Sequence, residues 1–158
     1  MRQIHRTALL PFSAQQLYDL VNDVEAYPQF LPWCRSASAE RVSDTEVVAT
    51  LDLALKGLHK SFTTRNHLVA GQEIKIELDN GPFRSLEGCW QFVDLGNSSG
   101  NGGSVKGCRV TLDLSFSLMG RILEMTAGPI LEKVADSLVE LFSDRARVVL
   151  ADANAGAK

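Results

Sequence analysis

The segment Gly120–Leu150 reads GRILEMTAGPILEKVADSLVELFSDRARVVL, and it decides the fold. Its apolar residues recur at steps of three and four, the spacing of one face of an α-helix. About 30 residues at 1.5 Å per residue would form a rod of roughly 45 Å. Such a helix needs a large apolar surface to pack against, and the strands predicted between residues 40 and 116 supply it. The face consists of Leu123, Ile130, Val134, Leu138, Leu141 and Phe142.

Pro129 interrupts this segment. Proline removes one backbone donor and crowds the carbonyl of Met125, and the preceding Gly128 is a weak helix former. Two interpretations remain open at this point. The helix either kinks or breaks at Pro129, or it begins there, since proline is favoured in a first helical turn.

The bulk properties indicate one globular domain. The chain has 158 residues, of which 45% are hydrophobic and 22% charged, with a formal net charge of -3. These values are typical of a single soluble domain, and we assign residues 1–150 to it and residues 151–158 to a flexible tail. A weakly acidic chain disfavours general nucleic-acid binding, DNA included, but is compatible with a local basic patch.

The sequence shows no export or membrane-spanning signal. It contains no run of about 18 apolar residues, and the N-terminal MRQIHR lacks the apolar segment of a secretion signal. We therefore expect a cytoplasmic protein with reduced cysteines. Cys34, Cys89 and Cys108 are far apart and have no metal-ligand spacing with the histidines. No metal or other cofactor is predicted.

The N-terminal part predicts a strand, a capped helix and an irregular apolar segment. Arg2 to Leu10 forms the strand, and Ser13 with Gln16 forms a capping box for a helix that ends near Asn22 or Asp23. Two prolines then prevent a regular element, although one short helical turn fits. This segment either caps the core or lines the mouth of a cavity. Its large apolar residues are Tyr27, Phe30, Leu31 and Trp33.

From residue 36 onward, apolar residues alternate with polar ones, the period of half-buried strands. Short turns between successive runs predict antiparallel hairpins. The order is therefore a strand, a helix, about six antiparallel strands and a long helix. This order predicts an α+β fold in which a curved sheet of six to seven strands wraps around the C-terminal helix. The alternation covers residues 47–55, 58–65, 74–78, 86–92 and 110–116.

The strands on either side of the glycine-rich segment 96–107 predict a register. In that register Cys108 points inward and Cys89 outward, so no disulfide should join them. The segment 96–107 and the tail have little to bury and should be mobile. The predicted partners are Trp90 with Leu112 and Phe92 with Val110.

No set of catalytic residues emerges from the sequence. Residues 96–100, GNSSG, match G-x-S-x-G, but a nucleophile elbow needs a helix after it and a strand follows here. Asp23, at the end of the first helix, has a commoner role in stabilising the next turn. The sequence therefore predicts a binding protein rather than an enzyme.

Basic residues concentrate on two neighbouring predicted strands, and His59 and Arg65 share the outward phase. A solvated sheet face is one interpretation of this group. A contact for RNA, an acidic protein or anionic lipid is the other. The group consists of Lys56, His59, Lys60, Arg65 and His67.

Several segments together resemble the coenzyme-Q-binding START-like family, the helix-grip proteins that include the bacterial RatA-type proteins. The resemblance covers nearly all of residues 1–148. The glycine-rich segment 96–107 looks longer than usual, and the tail has no counterpart. The matching segments are VNDV at 21–24, YPQFLP at 27–32, KSFTTRN at 60–66, DNGPF at 79–83 and RA at 145–146.

The resemblance implies a helix-grip fold with an apolar tunnel between sheet and helix. It implies binding of a polyprenyl quinone, such as ubiquinone, in support of respiration, with peripheral contact at the inner membrane as a further option. It also implies an alternative function, because RatA-type proteins are toxins that bind the large ribosomal subunit and block translation initiation.

Lipid binding fits the apolar inward phase best, since ligand pockets are mostly apolar, and ribosome binding is the alternative. For ribosome contact we name Lys56, Lys60 and Arg65. For the lipid site we name Tyr27, Phe30, Trp33, Leu51, Leu53, Phe62, Leu78, Phe83, Trp90, Leu112, Ile130, Val134 and Leu138.

Overall fold

The computed structural model describes residues 1–95 and 107–156, with side chains described up to residue 150. A short 3-10 helix at Val24–Gln29 follows the first α-helix, as the one short turn in the irregular segment predicted. No described helix is long and apolar enough to cross a bilayer. The other elements are β1 Arg2–Leu10, α1 Ala14–Asn22, β2 Cys34–Ser43, β3 Glu46–Leu55, β4 Leu58–Val69, β5 Glu73–Asn80, β6 Phe83–Leu95, β7 Gly107–Leu118 and α2 Arg121–Gly156.

The seven strands form one antiparallel sheet in the order β1-β7-β6-β5-β4-β3-β2. Helix α2 packs against β1 and β7, and α1 packs against the β5, β6 and β7 side and against α2. The apolar faces of sheet and helix merge into one buried core. The predicted helix-grip architecture is confirmed.

The start of α1 follows directly from its sequence. The backbone N–H of Gln16 donates to Oγ of Ser13 at 3.1 Å, and the backbone N–H of Ser13 donates to Oε1 of Gln16 at 2.9 Å. This reciprocal pair satisfies two backbone donors that a helix start leaves free. The helix ends at Asn22, as predicted, and directs Leu17 and Val21 into the core.

Helix α2 runs through Pro129 without a break. The predictions of a helix start or a break at Pro129 are wrong, since α2 begins at Arg121. Arg2 of β1 explains the continuity: its guanidinium pairs with Glu124 at 2.8 Å and with Glu132 at 2.5 Å. These two partners lie on either side of the proline and tie both turns to the sheet. A kink in the helix axis stays a prediction.

The register between β6 and β7 agrees with the prediction. Trp90 pairs with Leu112, and Phe92 pairs with Val110. Cys108 is fully buried in the core, whereas Cys89 is half-buried and lies opposite Asp113.

Two predicted mobile segments fall largely outside the described residues. Residues 96–106, with the G-x-S-x-G match, and residues 157–158 are not described. The backbone at 151–156 continues α2 as helix, inside the range assigned to a flexible tail. Mobility of both segments stays a prediction.

Candidate functional site

A cavity of about 130 Å³ lies between the sheet and α2. An apolar cavity of about 150 Å³ in another protein stays dry and binds benzene, so this volume fits one six-membered ring. Of the predicted lipid-site residues, the following line it: Tyr27, Trp33, Leu51, Leu53, Phe62, Phe83, Trp90, Val134 and Leu138.

Four predicted lipid-site residues do not line the cavity. Leu112 is fully buried in the core, and Leu78 is half-buried near the end of β5, where the pairing with β4 shifts register. Ile130 lies at the half-buried edge of α2, because the helix is rotated so that Leu131 faces the cavity instead. Phe30 lies outside the cavity wall and packs edge-on against Tyr27.

The cavity also has lining residues that the sequence interpretation missed. Thr64 and Asn66 share the inward phase of Phe62 on β4. Thr64 lies inside the alternating range 58–65, and Asn66 is reached when the alternation is extended by one residue. Leu131 and Ala135 need the rotation of α2, which the sequence pattern does not fix. The missed residues are Val24, Ala49, Thr64, Asn66, Ile76, Leu86, Leu114, Phe116, Leu131, Ala135 and Phe142.

A buried polar pair lies in the otherwise apolar wall. Thr64 and Asn66 are 6% and 7% exposed, and the Thr64 hydroxyl donates to Oδ1 of Asn66 at 2.9 Å. In the described part of the chain, the Asn66 amide nitrogen has no hydrogen-bond partner. An asparagine amide carries two N–H donors. The wall therefore offers hydrogen-bond donors to a ligand that carries an acceptor.

Two further polar groups belong to aromatic residues of the wall. The Tyr27 hydroxyl donates to the carbonyl of Val21, and burial raises the pKa of this phenol, so it stays neutral. The Trp33 indole N–H is buried and has no partner within the described ranges. Tyr27 therefore presents mainly apolar ring surface to the cavity, whereas Trp33 adds a buried donor without a partner in the described part of the chain.

Aromatic rings pack together on the side of the cavity near α1. The Phe142 ring centroid lies 5.3 Å from that of Tyr27, 5.2 Å from that of Phe30 and 5.2 Å from that of Trp90. The Arg145 guanidinium covers the Phe30 ring at 5.2 Å. Tyr27 and Trp33 of the irregular segment therefore line the cavity, and Phe30 packs against the core beside them. That the segment lines the mouth of the cavity stays a prediction.

The three residues named for ribosome contact do not form one patch. Lys60 pairs in register with Leu53 on the inward side of β4, and Arg65 points outward. Arg65 is paired with Glu46 and lies 3.4 Å from Asp79. Lys56 lies in the turn between β3 and β4.

The neighbouring histidines have acidic partners as well. His59 lies 2.8 Å from Asp52, and His67 lies 3.6 Å from Glu77. The outer face of these strands is therefore close to charge balance rather than strongly basic.

The residue pattern that builds this fold also matches a known family. Residues 10–143 match the family described as polyketide cyclase / dehydrase and lipid transport. The chain belongs to that family. The match spans α1, the whole sheet from β2 to β7 and most of α2, so it includes every wall of the cavity.

Named relatives agree with the resemblance found in the sequence. The ribosome association toxin RatA of Pseudomonas aeruginosa is 44% identical over 144 residues, which cover 91% of this chain and 94% of that protein. A mitochondrial coenzyme Q-binding protein of Xenopus laevis is 24% identical over 87% of this chain and 55% of its own length. These named relatives are a toxin and a binding protein, not enzymes.

Solved structures show the same fold. An 18 kDa protein of Caulobacter crescentus is 27% identical and superposes with a TM-score of 0.71 over 96% of this chain and 99% of its own. The Zhui aromatase/cyclase of Streptomyces shares the fold at a TM-score of 0.63, over 95% of this chain and 97% of its own, but is 17% identical. The second likeness concerns the fold alone.

Proposed function

We propose that this chain binds a hydrophobic lipid with a ring-shaped, acceptor-bearing head group, such as ubiquinone, and carries it without chemistry. The observation behind this proposal is the composition of the cavity wall. Apolar side chains surround one buried polar pair, Thr64 and Asn66. A few placed polar groups in an apolar pocket are the usual pattern of a small-molecule site.

The polar pair favours a quinone-like ring over a plain hydrocarbon. A ring that buries about 150 Å² of apolar surface gains about 4 kcal/mol before ordering costs. A carbonyl oxygen next to the Asn66 amide would accept a hydrogen bond that the protein itself does not supply. A hydrocarbon would leave this buried donor without a partner, which is costly.

The cavity volume limits which part of the lipid is enclosed. About 130 Å³ holds one ring but not a polyprenyl tail in addition. The cavity is therefore smaller than the tunnel that the resemblance implies. In this proposal the cavity encloses the ring and the tail extends out of it.

The tryptophans give a direct binding assay. The chain has two, Trp33 and Trp90, and both line the cavity. Titration with a short-chain ubiquinone should quench their fluorescence to saturation. Saturable quenching should be lost in Ala135→Phe, which fills the cavity from α2, and kept in the exposed control Val148→Phe. Equal quenching in both variants would contradict the proposal.

Ribosome association is the second candidate function. It is supported by the relative from Pseudomonas aeruginosa, a ribosome association toxin that matches 91% of this chain. Lys56 and Lys60 are the remaining candidates for phosphate contacts, because Arg65 is already paired with Glu46.

Co-sedimentation with isolated ribosomal subunits at low salt tests this second function. The double variant Lys56→Glu with Lys60→Glu should release the chain from the large subunit, whereas Arg109→Glu, at the far end of the sheet, should not. Absence of co-sedimentation at low salt, where electrostatic attraction is strongest, would remove this candidate. The cavity-filling variant Ala135→Phe should still co-sediment, which separates the two functions.

A further inference from the structure

Three strongly exposed apolar side chains gather where β7 leads into α2. Met119, Ile122 and Met125 are 58%, 79% and 70% exposed. Ile122 and Met125 are three residues apart on α2 and share one side of its first turns. Met119 lies just before the helix and lines the same groove as Ile122. Elsewhere in the described chain, the exposed Val42 and Val69 lie on β2 and β4, and Val148 lies more than 20 residues further along α2. We call Met119, Ile122 and Met125 the apolar ridge.

Uncompensated cations flank the apolar ridge. Lys60 and Arg121 border a shallow groove that also includes Met119 and Ile122. Lys56 and Arg84 lie at the same end of the sheet, in or beside the turns of the neighbouring hairpins. None of these four cations has an ion-pair partner within residues 1–95 and 107–150.

The acidic groups at this end are already engaged. Glu124 pairs with Arg2 at 2.8 Å and also accepts from the backbone N–H of Leu118 at 2.8 Å. Asp52 lies 2.8 Å from His59. Asp79 lies 3.4 Å from Arg65. These acids have partners of their own, and none of them pairs with Lys56, Lys60, Arg84 or Arg121.

The groove next to the apolar ridge and the cavity are lined by neighbouring residues of β4. Lys60 and Phe62 share the inward side of β4, and the Phe62 ring lies 5.4 Å from that of Phe83. Both rings line the cavity. The backbone N–H of Met119 donates to the carbonyl of Pro82 at 2.9 Å, which holds Met119 beside the turn between β5 and β6.

The undescribed segment 96–106 joins the sheet at its other end. It leaves β6 at Leu95 and enters β7 at Gly107, whereas the apolar ridge follows the last residue of β7, Leu118. The apolar ridge thus lies at the end of the sheet opposite to Leu95 and Gly107.

We propose that this end of the molecule docks on an anionic lipid bilayer. The apolar ridge enters the boundary between head groups and acyl chains, and Lys60 and Arg121 approach the lipid phosphates. Exposed aliphatic side chains beside cations are the combination that interfacial helices use. Single-stranded RNA sites pair cations with stacking aromatic rings, and the apolar ridge contains none. The biological meaning of this docking surface rests on the proposed carrier function. Vesicle binding itself requires no ligand in the cavity, so the two can be tested separately.

Vesicle co-sedimentation of the full chain tests the proposal. The chain should bind vesicles of phosphatidylcholine with phosphatidylglycerol, bind pure phosphatidylcholine weakly, and dissociate as salt rises. Lys60→Glu with Arg121→Glu should lower partitioning by more than about 25-fold, since each neutralised cation alone is worth about fivefold. The exposed Lys133→Glu is the charge control and should bind like the parent chain.

The apolar contribution is tested separately. Ile122→Ser with Met125→Ser should weaken vesicle binding, and Val148→Ser, an equally exposed site on the same helix, should not. The proposal is overturned if binding does not depend on phosphatidylglycerol, or if these variants and their controls bind alike. It is also overturned if the parent chain does not bind vesicles and the same variants no longer co-sediment with ribosomal subunits. That result would show that this surface binds RNA. If the chain binds vesicles but quinone never quenches its tryptophan fluorescence, the docking surface is supported and the carrier function is rejected.

Discussion

Thr64 donates a hydrogen bond of 2.9 Å to Asn66 inside the wall of an apolar cavity, and both side chains are more than nine-tenths buried. This bond orients the Asn66 amide and leaves its nitrogen without a partner in the described part of the chain. A polar pair in this position contributes little to packing. Its clearest consequence is selectivity for a ligand with a hydrogen-bond acceptor.

Replacement of Asn66 tests this selectivity. Asn66→Leu keeps the branched shape, at a somewhat larger volume, and removes the donors, so affinity for a short-chain quinone should fall about tenfold, the value of one buried hydrogen bond of about 1.4 kcal/mol. Affinity for a hydrocarbon of similar size should stay the same or rise. Tryptophan fluorescence titrations measure both ligands. An equal loss for the two would show that the substitution only disturbed packing.

Much of the fold could be predicted because it depends on local chemistry. The capping box of Ser13 and Gln16 and the pairing of Trp90 with Leu112 follow from residue type and alternation alone. The passage of α2 through Pro129 could not be predicted, because it depends on Arg2, which is more than 120 residues away in sequence.

The candidate site could be predicted in part for the same reason. Alternation identifies inward positions such as Leu53 and Phe62, but it cannot say which of them face a void and which, like Leu112, are fully covered. The helix period gives a stripe but not its rotation, so Ile130 was assigned to the cavity in place of Leu131. The alternation of β4 places Lys60 and Arg65 on opposite faces of the sheet. The acidic partners of Arg65 lie on neighbouring strands and can be identified only in the structure.

Arg2 lies so close to Gly128 that Gly128→Ala, a substitution that normally stabilises a helix, should destabilise this chain. A Cβ at position 128 would lie 2.5 Å from a guanidinium nitrogen of Arg2, which Glu124 and Glu132 hold in place. Gly128→Ala should therefore lower the free energy of unfolding in the parent chain. In an Arg2→Ala background, Gly128→Ala should instead raise the free energy of unfolding by up to about 1 kcal/mol, the difference in helix propensity between glycine and alanine. Urea unfolding of the four chains measures the cycle, and a stabilising Gly128→Ala in the parent chain would contradict this account.

Alkaline pH should destabilise the fold through its buried thiols. Burial raises the pKa of Cys108 to about 11, and the Asp94 carboxylate adds to the shift. A thiol with a raised pKa contributes stability that is fully present below its unfolded value of 9.0 and is lost as pH rises towards its folded value. The free energy of unfolding should therefore fall between pH 9 and pH 11.

The variant Cys108→Ala isolates this thiol. Its stability should decline less steeply over that range than that of the parent chain, although a small cavity lowers its stability at neutral pH. Denaturant unfolding at a series of pH values gives the two slopes. Parallel slopes would show that Cys108 does not titrate with unfolding.

Charge reversal should affect Lys60 and Arg65 differently. Lys60 is exposed and has no ion-pair partner in the described ranges, so Lys60→Glu should leave the melting temperature unchanged. Arg65→Glu would place a third carboxylate beside Glu46 and Asp79 on neighbouring strands and should lower it. Thermal melts at low and high salt test this, because salt should reduce the effect of Arg65→Glu. A larger loss for Lys60→Glu would contradict the assigned faces of β4.

The most direct test of the central claim is to identify the lipid that the purified chain carries. Lipids extracted from the parent chain, from Val134→Trp and from the exposed control Val148→Trp would be compared by mass spectrometry. We predict a polyprenyl quinone in the parent chain and in Val148→Trp, and its loss from Val134→Trp, where the indole fills the cavity. Equal amounts of quinone in all three chains, or no quinone in any of them even after incubation with it, would contradict the claim that the cavity is a lipid site.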